Sequence, residues 1–420
     1  MIAEGTSAEA LELMNRRDLI TGAASLFIGA EVLPSLAADS ASKVLPDKTA
    51  FPIAGTYLNN AGFHPISLSC ARAVKAYLDS RVEGVIKENH PLESTQGEVL
   101  AAFASLIHAH PSEVSLVQST MVGENLVLAG LGFPHVDGNI VTDELHFEGS
   151  LYMYRTLQKQ GLDVRVVKPR EWRIDLKDVE EVIDNKTRLI AVSLVSFLNG
   201  FQYDLKGLCD LAHVHGARVY ADIIQAAGAV PIDVHASGVD FCACASYKWL
   251  MGDFGLGFMY VREDLLGSVI KRTQYGWQQF SDFEYHFRPY DKPANADATW
   301  RPLGGAAGYF QVGTLATAAL ACLNSSLKYI QQLGVERIQS HAQSMTQRLL
   351  KELPSLGFEC LTPSESRTPI VTFVVRDLQE VANRLARAKV KIKMDQHCFR
   401  VSPSVYNDQY DIDRLLNALS

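Results

Sequence analysis

The chain has 420 residues, of which 47% are hydrophobic, 20% are charged and 9% are aromatic. This composition provides enough apolar side chains for a large core and excludes a disordered, collagenous or small disulfide-linked protein. Lysine and arginine number 39 against 47 aspartate and glutamate residues, and the net charge of −8 argues against a nucleic-acid-binding surface. Small-molecule chemistry is therefore the default expectation.

The first 37 residues have the pattern of an export signal. Arg16 and Arg17 precede an apolar run over residues 19–30. As a helix this run would rise only about 18 Å, too short for a hydrocarbon core about 30 Å thick. Ser35 and Ala37 provide small side chains at the two positions that a signal peptidase inspects. The paired arginines resemble the twin-arginine export signal and predict a periplasmic protein, with a disordered cytoplasmic extension as the alternative.

The seven cysteines form no Cys-x-x-Cys pair, and Cys242 and Cys244 lie in an apolar run typical of a strand. Neither a zinc site nor a disulfide framework is indicated. We expect most of these cysteines to be buried free thiols.

After a loose stretch to residue 51, the chain alternates helical and strand patterns. We predict helices over residues 71–87, 97–108 and 123–132, with a strand at 114–117 before the third helix. The alternation continues with strands at 139–142, 163–167, 188–194, 218–222 and 240–245 and with helices at 150–160, 176–183 and 205–215. This order predicts βαβ units and a largely parallel sheet that is covered on both faces.

Residues 267–305 are rich in aromatic side chains, which predicts a packed loop region over a site or a subunit interface. A predicted helix at 315–333 leads to further strands at 370–375, 391–394 and 399–402 and to helices at 378–388 and 411–419. We therefore predict an α/β protein with an N-terminal segment over 38–70, a large domain over 71–313 and a small C-terminal domain over 314–420.

An aspartate and a lysine follow two neighbouring predicted strands. Asp222 ends the strand at 218–222, and Lys248 follows the strand at 240–245 and precedes a glycine-rich segment. The carboxyl ends of parallel strands form the edge at which α/β proteins bind ligands. The pair suits pyridoxal phosphate, since a lysine binds its aldehyde covalently and a carboxylate keeps its pyridine nitrogen protonated. The alternative is a helix N-cap at Asp222 and a solvated Lys248.

Several motifs occur in order along the chain: YLNNAG at 57–62, YADIIQ at 220–225, SYKW at 246–249, QVGT at 311–314 and RVSPSVYN at 400–407. Together they resemble the class V aminotransferases, a family that includes cysteine desulfurases, kynureninases and isopenicillin-epimerase-like proteins. The resemblance spans residues 57–419. It implies the fold of type I enzymes dependent on pyridoxal 5′-phosphate, and a homodimer with shared active sites.

The resemblance also implies roles for individual residues. Lys248 and Asp222 are the expected catalytic residues, and Gln225 is expected near the phenolate oxygen of the cofactor. A strand end and helix start would cradle the phosphate with the backbone of Thr120, Met121 and Val122. The family often has threonine where Gly123 stands.

Further cofactor contacts follow from the same resemblance. Phe147 is favoured over His146 as the ring stacked on the cofactor. Ser246 and Tyr247 are possible donors to the phosphate. Thr314 is expected to come from the neighbouring subunit, and the same origin is considered for Trp277.

Arg400 occupies the family position that anchors the α-carboxylate of an amino-acid substrate, and Asn59 and Asn60 are expected to add contacts to it. A guanidinium suits this role because it binds a carboxylate through two hydrogen bonds. The alternative is an arginine paired with a surface acid.

The cofactor residues do not decide the reaction, because transamination, racemisation and β-elimination share them. A cysteine desulfurase needs a nucleophilic thiol on a mobile loop. Cys398 lies only two residues before Arg400 in a predicted strand, which disfavours a desulfurase. The leading interpretation is an aminotransferase-like enzyme that acts at Cα of an amino acid or an amino-group-bearing metabolite. The alternatives are a Cα–Cβ or Cβ–S lyase and a non-catalytic binding protein of the same fold.

Overall fold

The computed structural model describes residues 44–84 and 93–420. The predicted export signal at residues 1–37 and the end of the first predicted helix lie outside the described residues. The described chain begins with β1 (Thr56–Tyr57), α1 (Leu68–Val82) and α2 (Glu93–Leu106). Helix α1 begins where the hydroxyl of Ser67 accepts a hydrogen bond from the Cys70 N–H at 3.1 Å, which satisfies one of the first-turn donors.

The next region alternates strands and helices in the predicted order: β2 (Val114–Val117), α3 (Thr120–Gly130), β3 (Asn139–Asp143), α4 (Glu148–Lys159), β4 (Asp163–Val167), α5 (Leu176–Glu180), β5 (Thr187–Ser193), α6 (Leu205–Val214), β6 (Arg218–Asp222), α7 (Val234–Ser237), β7 (Phe241–Ala245) and β8 (Gly257–Val261). Strands β2, β4 and β6 have the predicted bounds. Strand β8 was not predicted, because its apolar run directly follows the glycine-rich segment and was not separated from it.

Seven strands form the central sheet in the order β2-β8-β7-β6-β5-β3-β4. The strands from β4 to β7 pair in parallel with their neighbours. Strand β8 is antiparallel to both β7 and β2. The predicted α/β architecture with a mostly parallel sheet is confirmed, and one antiparallel strand lies within it.

The remaining elements are β9 (Phe280–Tyr285), β10 (Ala298–Pro302), α8 (Gly305–Phe310), α9 (Thr317–Leu333), α10 (Val335–Glu352), β11 (Val371–Val374), α11 (Leu378–Arg387), β12 (Val390–Lys391), β13 (Lys393–Met394), β14 (Cys398–Val401) and α12 (Gln409–Leu419). The aromatic segment predicted as a loop region contains an antiparallel hairpin of β9 and β10. Helix α10 was not predicted.

The central sheet is buried on both faces. Val219 and Ala221 of β6 belong to one core, which includes side chains of α2, α6 and α9. Tyr220 of the same strand belongs to the opposite core, with side chains of α3 and α4. This alternation follows from the two-residue period of a strand, and burial on both faces is typical of parallel sheets.

A third core lies in the C-terminal region. Strands β11, β14 and β13 form an antiparallel sheet, and Phe373 and Phe399 pack there with side chains of α10, α11 and α12. Strand β1 pairs in parallel with β12, so the N-terminal segment joins this region. Helix α9, which we assigned to the small domain, packs its buried face into the first core instead. The proposed domain boundary stays a prediction.

All seven cysteines lie within the described residues and are free thiols, and five of them are buried. Among residues 44–84 and 93–420, no helix is long and apolar enough to cross a membrane.

Candidate active site

Asp222 and Lys248 lie beyond the carboxyl ends of neighbouring parallel strands. Asp222 is the last residue of β6 and pairs in register with Ala243 of β7, and Lys248 follows β7 by three residues. Their side chains are buried, with 3% and 8% of each residue exposed. No ion pair within 4.0 Å joins them. Neither charged group is therefore occupied by direct contact with the other.

Burial brings the pKa values of both groups closer to neutral pH. Burial raises the pKa of Asp222 to about 6, although the charge of His146 and a 2.9 Å hydrogen bond from the Ile224 N–H oppose the rise. Burial lowers the pKa of Lys248 to about 8, opposed by the charge of Asp222 and reinforced by that of Arg400. Such a lysine is partly a free amine near neutral pH, the form that acts as a nucleophile or a base.

The donor set fits pyridoxal phosphate. One carboxylate oxygen of Asp222 accepts the Ile224 N–H, and the other accepts no hydrogen bond from the described residues. Lys248 has no carboxylate within 4.0 Å among the described residues. The site thus has a buried carboxylate for a ring nitrogen and a buried amine for an aldehyde.

The start of α3 leaves two backbone donors for an anion. The Ser119 hydroxyl caps the helix by accepting the Val122 N–H at 3.2 Å. The Thr120 hydroxyl accepts the Ala245 N–H at 2.9 Å and so joins the helix start to the end of β7. Within the described part of the chain, the N–H groups of Thr120 and Met121 have no acceptor, so they can bind a phosphate at the positive end of the helix dipole. Val122, the third predicted donor, is already occupied.

Gly123 allows α3 to lie close to the sheet. A Cβ atom at this position would meet the Cβ of Ala243 on β7 at 2.7 Å, which is too close for carbon atoms. The threonine that the family often has here would not fit without a shift of the helix. Residue 123 therefore offers no side-chain donor to a phosphate, and the role of the backbone at the start of α3 stays a prediction.

Ser246 and Tyr247 form the turn that follows β7. The Ser246 Oγ lies 2.6 Å from the carbonyl oxygen of Asp253 and 2.8 Å from that of Leu256. The hydroxyl therefore donates its hydrogen bond to these backbone carbonyls. Tyr247 stacks on Phe254 with ring centroids 4.5 Å apart. The roles of both residues toward the phosphate stay predictions.

Gln225 joins three segments near Asp222. Its amide donates to the carbonyl oxygen of Ala61 at 3.0 Å and accepts the indole N–H of Trp249 at 2.9 Å. The side chain is buried, with the residue 2% exposed. Gln225 thus holds the N-terminal segment against the lysine turn, and its predicted contact with the phenolate oxygen stays a prediction.

Phe147 and His146 have different environments. Phe147 is half-buried at the N-terminus of α4, and its ring meets Phe197 edge-on at 5.6 Å. His146 is buried and uses both ring nitrogens, at 2.8 Å from the Ser193 Oγ and 3.2 Å from the Glu124 Oε1. These contacts are compatible with the predicted stacking of Phe147 on the cofactor, which stays a prediction.

Arg400 is a buried guanidinium that forms no ion pair with a carboxylate of the described residues. It lies on β14 and is 7% exposed. Its Nη1 donates to the carbonyl oxygen of Phe197 at 2.6 Å, while its buried Nε has no hydrogen-bond partner in the part of the chain that the structure describes. Burial lowers the pKa of Arg400 to about 10. The structure therefore does not support the surface ion pair considered as an alternative, and Arg400 is suited to bind an anionic group.

Asn59 and Asn60 make different contacts. The Nη2 of Arg400 lies 3.5 Å from the Asn59 Oδ1, so Asn59 reaches the predicted carboxylate anchor. Asn60 is fully buried and donates to the carbonyl oxygen of Ser402 at 2.8 Å. It also accepts the hydroxyl of Tyr406 at 2.6 Å. Asn60 thus fastens the N-terminal segment to the C-terminal region.

Trp277 and Thr314 are exposed and lie in neighbouring segments. Trp277 is 51% exposed, and Thr314 is also exposed. The Gln311 amide donates to the Gln278 side-chain oxygen at 2.9 Å, which joins the two segments. Their predicted contribution to the site of a neighbouring subunit stays a prediction.

Glu124 is a buried residue near Asp222 that the sequence analysis missed. Its Oε1 accepts the hydroxyl of Tyr154 at 2.7 Å, and its Oε2 accepts that of Ser150 at 2.6 Å. Glu124 also contacts His146, whose charge acts on Asp222. The signal that was available is an acidic residue in the otherwise apolar α3, one turn after Thr120.

Comparisons with known proteins identify a family for this chain. The class V aminotransferase family model matches residues 56–415. A probable cysteine desulfurase of Methanothermobacter thermautotrophicus is 29% identical over 355 residues, which cover 81% of this chain and 84% of that protein. The name of this relative matches the lyase alternative and not the aminotransferase-like interpretation.

Solved structures share the fold. A mutant of C-DES with glycine covalently linked to its pyridoxal phosphate has a TM-score of 0.78 at 21% identity, covering 89% of this chain and 99% of that chain. A complex of the cystine C–S lyase C-DES with its product cysteine persulfide has a TM-score of 0.76 at 22% identity, covering 87% and 97%. The predicted fold is confirmed. With its sequence matched over residues 56–415, the chain belongs to the class V aminotransferase family, which depends on pyridoxal phosphate.

Proposed function

We propose that the protein is a pyridoxal-phosphate-dependent lyase that cleaves the Cβ–S bond of a cysteine-derived α-amino acid. The observation that carries the proposal is a buried lysine and aspartate together with Arg400, a buried guanidinium with no ion pair among the described residues. The desulfurase relative and the solved cystine lyase favour a sulfur-containing substrate.

Three charged or titratable residues have separate roles in the proposed reaction. Bound pyridoxal phosphate supplies an electron sink for a carbanion at Cα. Arg400 holds the α-carboxylate of the substrate, and the neutral amine of Lys248 accepts the Cα proton. Asp222 holds the positive charge at the ring nitrogen. These roles orient the substrate so that the electrons of the Cα–H bond can expel a group from Cβ.

The products follow from atom balance. The Cβ–S bond breaks, and its electron pair leaves with sulfur. Addition of one water then gives pyruvate and ammonia from the remaining three-carbon fragment. L-cysteine yields hydrogen sulfide, and L-cystine yields cysteine persulfide.

The sulfur leaves without an enzyme thiol in this proposal. Five of the seven cysteines are buried. The other two are half-buried, and burial raises the pKa of Cys360 and of Cys398. A raised pKa lowers the fraction of nucleophilic thiolate. Neither cysteine therefore has the properties of a loop thiol that accepts sulfur.

The test measures products from L-cystine and L-cysteine, with pyruvate, alanine, sulfide and persulfide assayed separately. We expect pyruvate in amounts equal to the sulfur product. Lys248→Ala should abolish this release while the protein stays folded, as judged by circular dichroism. Cys398→Ser and Cys360→Ser are the matched controls and should keep it.

Two results would contradict the proposal. Alanine as product, with sulfur release lost in Cys398→Ser while cofactor binding is kept, would indicate a desulfurase that carries sulfur on this thiol. Conversion of amino acids to 2-oxo acids in exchange for an amino acceptor, without sulfur release, would support the aminotransferase-like interpretation.

We also propose that residues 1–37 direct export to the periplasm, on the basis of the paired arginines and the apolar run. Replacing Arg16 and Arg17 with lysine should retain the protein in the cytoplasm. Fractionation of cells that produce each form checks this, and wild-type protein confined to the cytoplasm would end the proposal.

The resemblance to the class V aminotransferases supports a further proposal, a homodimer in which Thr314 of one subunit completes the active site of the other. Mixed dimers of Lys248→Ala and a Thr314 variant would then regain part of the activity. A monomeric enzyme with full activity in sedimentation and kinetic measurements would contradict it.

A further inference from the structure

One histidine lies among three buried carboxylates beyond the strand ends. His146, Glu124 and Asp143 are each 1% exposed, and Asp222 is 3% exposed. Burial alone would lower the pKa of His146. The charge and hydrogen bond of Glu124, followed by the charges of Asp222 and Asp143, outweigh burial and raise the pKa. The geometry and the surrounding charges both favour a protonated imidazole.

The ring of His146 connects α3 to the end of the central sheet. Its Nε2 lies 3.2 Å from the Glu124 Oε1 on α3, and its Nδ1 lies 2.8 Å from the Ser193 Oγ. Ser193 ends β5 in register with Asp222 on β6. A protonated ring would donate from both nitrogens to these two oxygen atoms.

We propose that Glu124 is a positioning residue for the cofactor: it holds His146 protonated near Asp222, and this cation keeps Asp222 ionised where it meets the pyridine nitrogen. The inference rests on the proposed pyridoxal-phosphate-dependent function. It gives Glu124 a role although this residue does not contact the reacting atoms.

The need for such a cation follows from burial. An isolated buried carboxylate tends to take up a proton, and a neutral acid stabilises a pyridinium much less than a carboxylate does. Lys248 also faces Asp222, but its nitrogen is the one that binds the cofactor in the proposed function. His146 is therefore the neighbouring cation that persists when cofactor is bound.

The other groups around His146 do not replace Glu124. Asp143 on β3 accepts the hydroxyl of Tyr203 at 2.9 Å and the Leu145 N–H at 2.7 Å. Burial raises the pKa of Asp143, although the charge of His146 opposes the rise. Among the described residues, Glu124 is the carboxylate that hydrogen-bonds directly to the ring.

The test compares Glu124→Gln with the matched control Tyr154→Phe. Glu124→Gln removes the charge and keeps the side-chain shape, whereas Tyr154→Phe removes a hydrogen bond to the same carboxylate without changing its charge. Two properties are measured for each protein: the Kd of the apoprotein for pyridoxal phosphate, and the 15N resonances of His146 in histidine-labelled apoprotein at pH 7. His146→Gln assigns these resonances.

In wild type we expect His146 to be protonated at pH 7. Glu124→Gln should make His146 neutral and raise the Kd for pyridoxal phosphate about tenfold. A tenfold change in Kd is equivalent in free energy to a shift of about one unit in the pKa of Asp222. Tyr154→Phe should keep His146 protonated and change the Kd by less than about threefold. His146→Gln should weaken cofactor binding as Glu124→Gln does, and it serves as the second variant if Glu124→Gln does not fold.

A neutral His146 in wild type would overturn the inference. An unchanged Kd in folded Glu124→Gln would also overturn it, as would equal losses in Glu124→Gln and Tyr154→Phe, which indicate a purely structural role. Failure of the proposed function is recognised separately, because wild-type protein would then release no pyruvate from L-cystine or L-cysteine, and failure of cofactor binding would appear as the absence of Lys248-dependent absorbance with pyridoxal phosphate. The 15N spectrum still reports the charge of His146 in that case.

Discussion

The lowered pKa of Lys248 predicts how fast the apoprotein takes up its cofactor at each pH. Burial brings this pKa from 10.5 to about 8, and only the neutral amine attacks an aldehyde. At pH 8 about half of Lys248 is then neutral, compared with about 0.3% for an unshifted lysine. The site lysine should therefore react roughly 150-fold faster at this pH than an exposed lysine of equal intrinsic reactivity.

The assay follows the visible absorbance that develops after pyridoxal phosphate is added to apoprotein between pH 6 and pH 10. We expect the initial rate to rise with pH and to reach half of its maximum near pH 8. In Asp222→Asn the midpoint should move to lower pH, because the negative charge of Asp222 raises the pKa of Lys248. Lys248→Ala measures the background reaction of the other lysines.

A midpoint near pH 10 in wild type would refute the reasoning, since Lys248 would then behave as a solvated lysine. A midpoint that rises in Asp222→Asn would refute the assigned sign of the interaction between the two residues. Absorbance that develops equally in Lys248→Ala would show that another lysine binds the cofactor.

Three further predictions test the packing and the substrate anchor. In steady-state kinetics, Arg400→Lys should raise KM for a substrate with an α-carboxylate about tenfold or more, because lysine cannot form the bidentate contact. The KM of an analogue that lacks the carboxylate should not change. An unchanged KM for the carboxylate substrate would remove Arg400 from the site. Gly123→Ala should cost about 1–3 kcal/mol in urea unfolding through its contact with Ala243, whereas Gly97→Ala, with nothing within 4 Å, should stabilise by up to about 1 kcal/mol. Equal shifts of the two unfolding midpoints would contradict the close packing of α3. Phe147→Leu should weaken pyridoxal phosphate binding about two- to tenfold, measured by titration of apoprotein, and unchanged affinity would argue against ring stacking.

The sequence alone identified the strands of the parallel sheet and the two residues at their ends. Strands such as β4 and β6 are short, apolar and bounded by turn residues, so a local pattern is sufficient to find them. Asp222 and Lys248 follow such strands, and parallel strands place their carboxyl ends at one edge of the sheet. The position of the site was therefore predictable before any contact was known.

Tertiary structure decided the properties that depend on distant residues. Strand β8 is held between β2 and β7, which lie far from each other in sequence. Arg400 is suited to bind a carboxylate because it is buried and forms no ion pair within residues 44–84 and 93–420, a property that its own sequence neighbourhood does not encode. The sequence shows Glu124 as an acidic residue in α3, but only the fold places it against His146 near Asp222. Local patterns determine where a strand ends, whereas burial and charge at that end arise from the whole fold, because electrostatic interactions depend on distance in space and on exclusion of water.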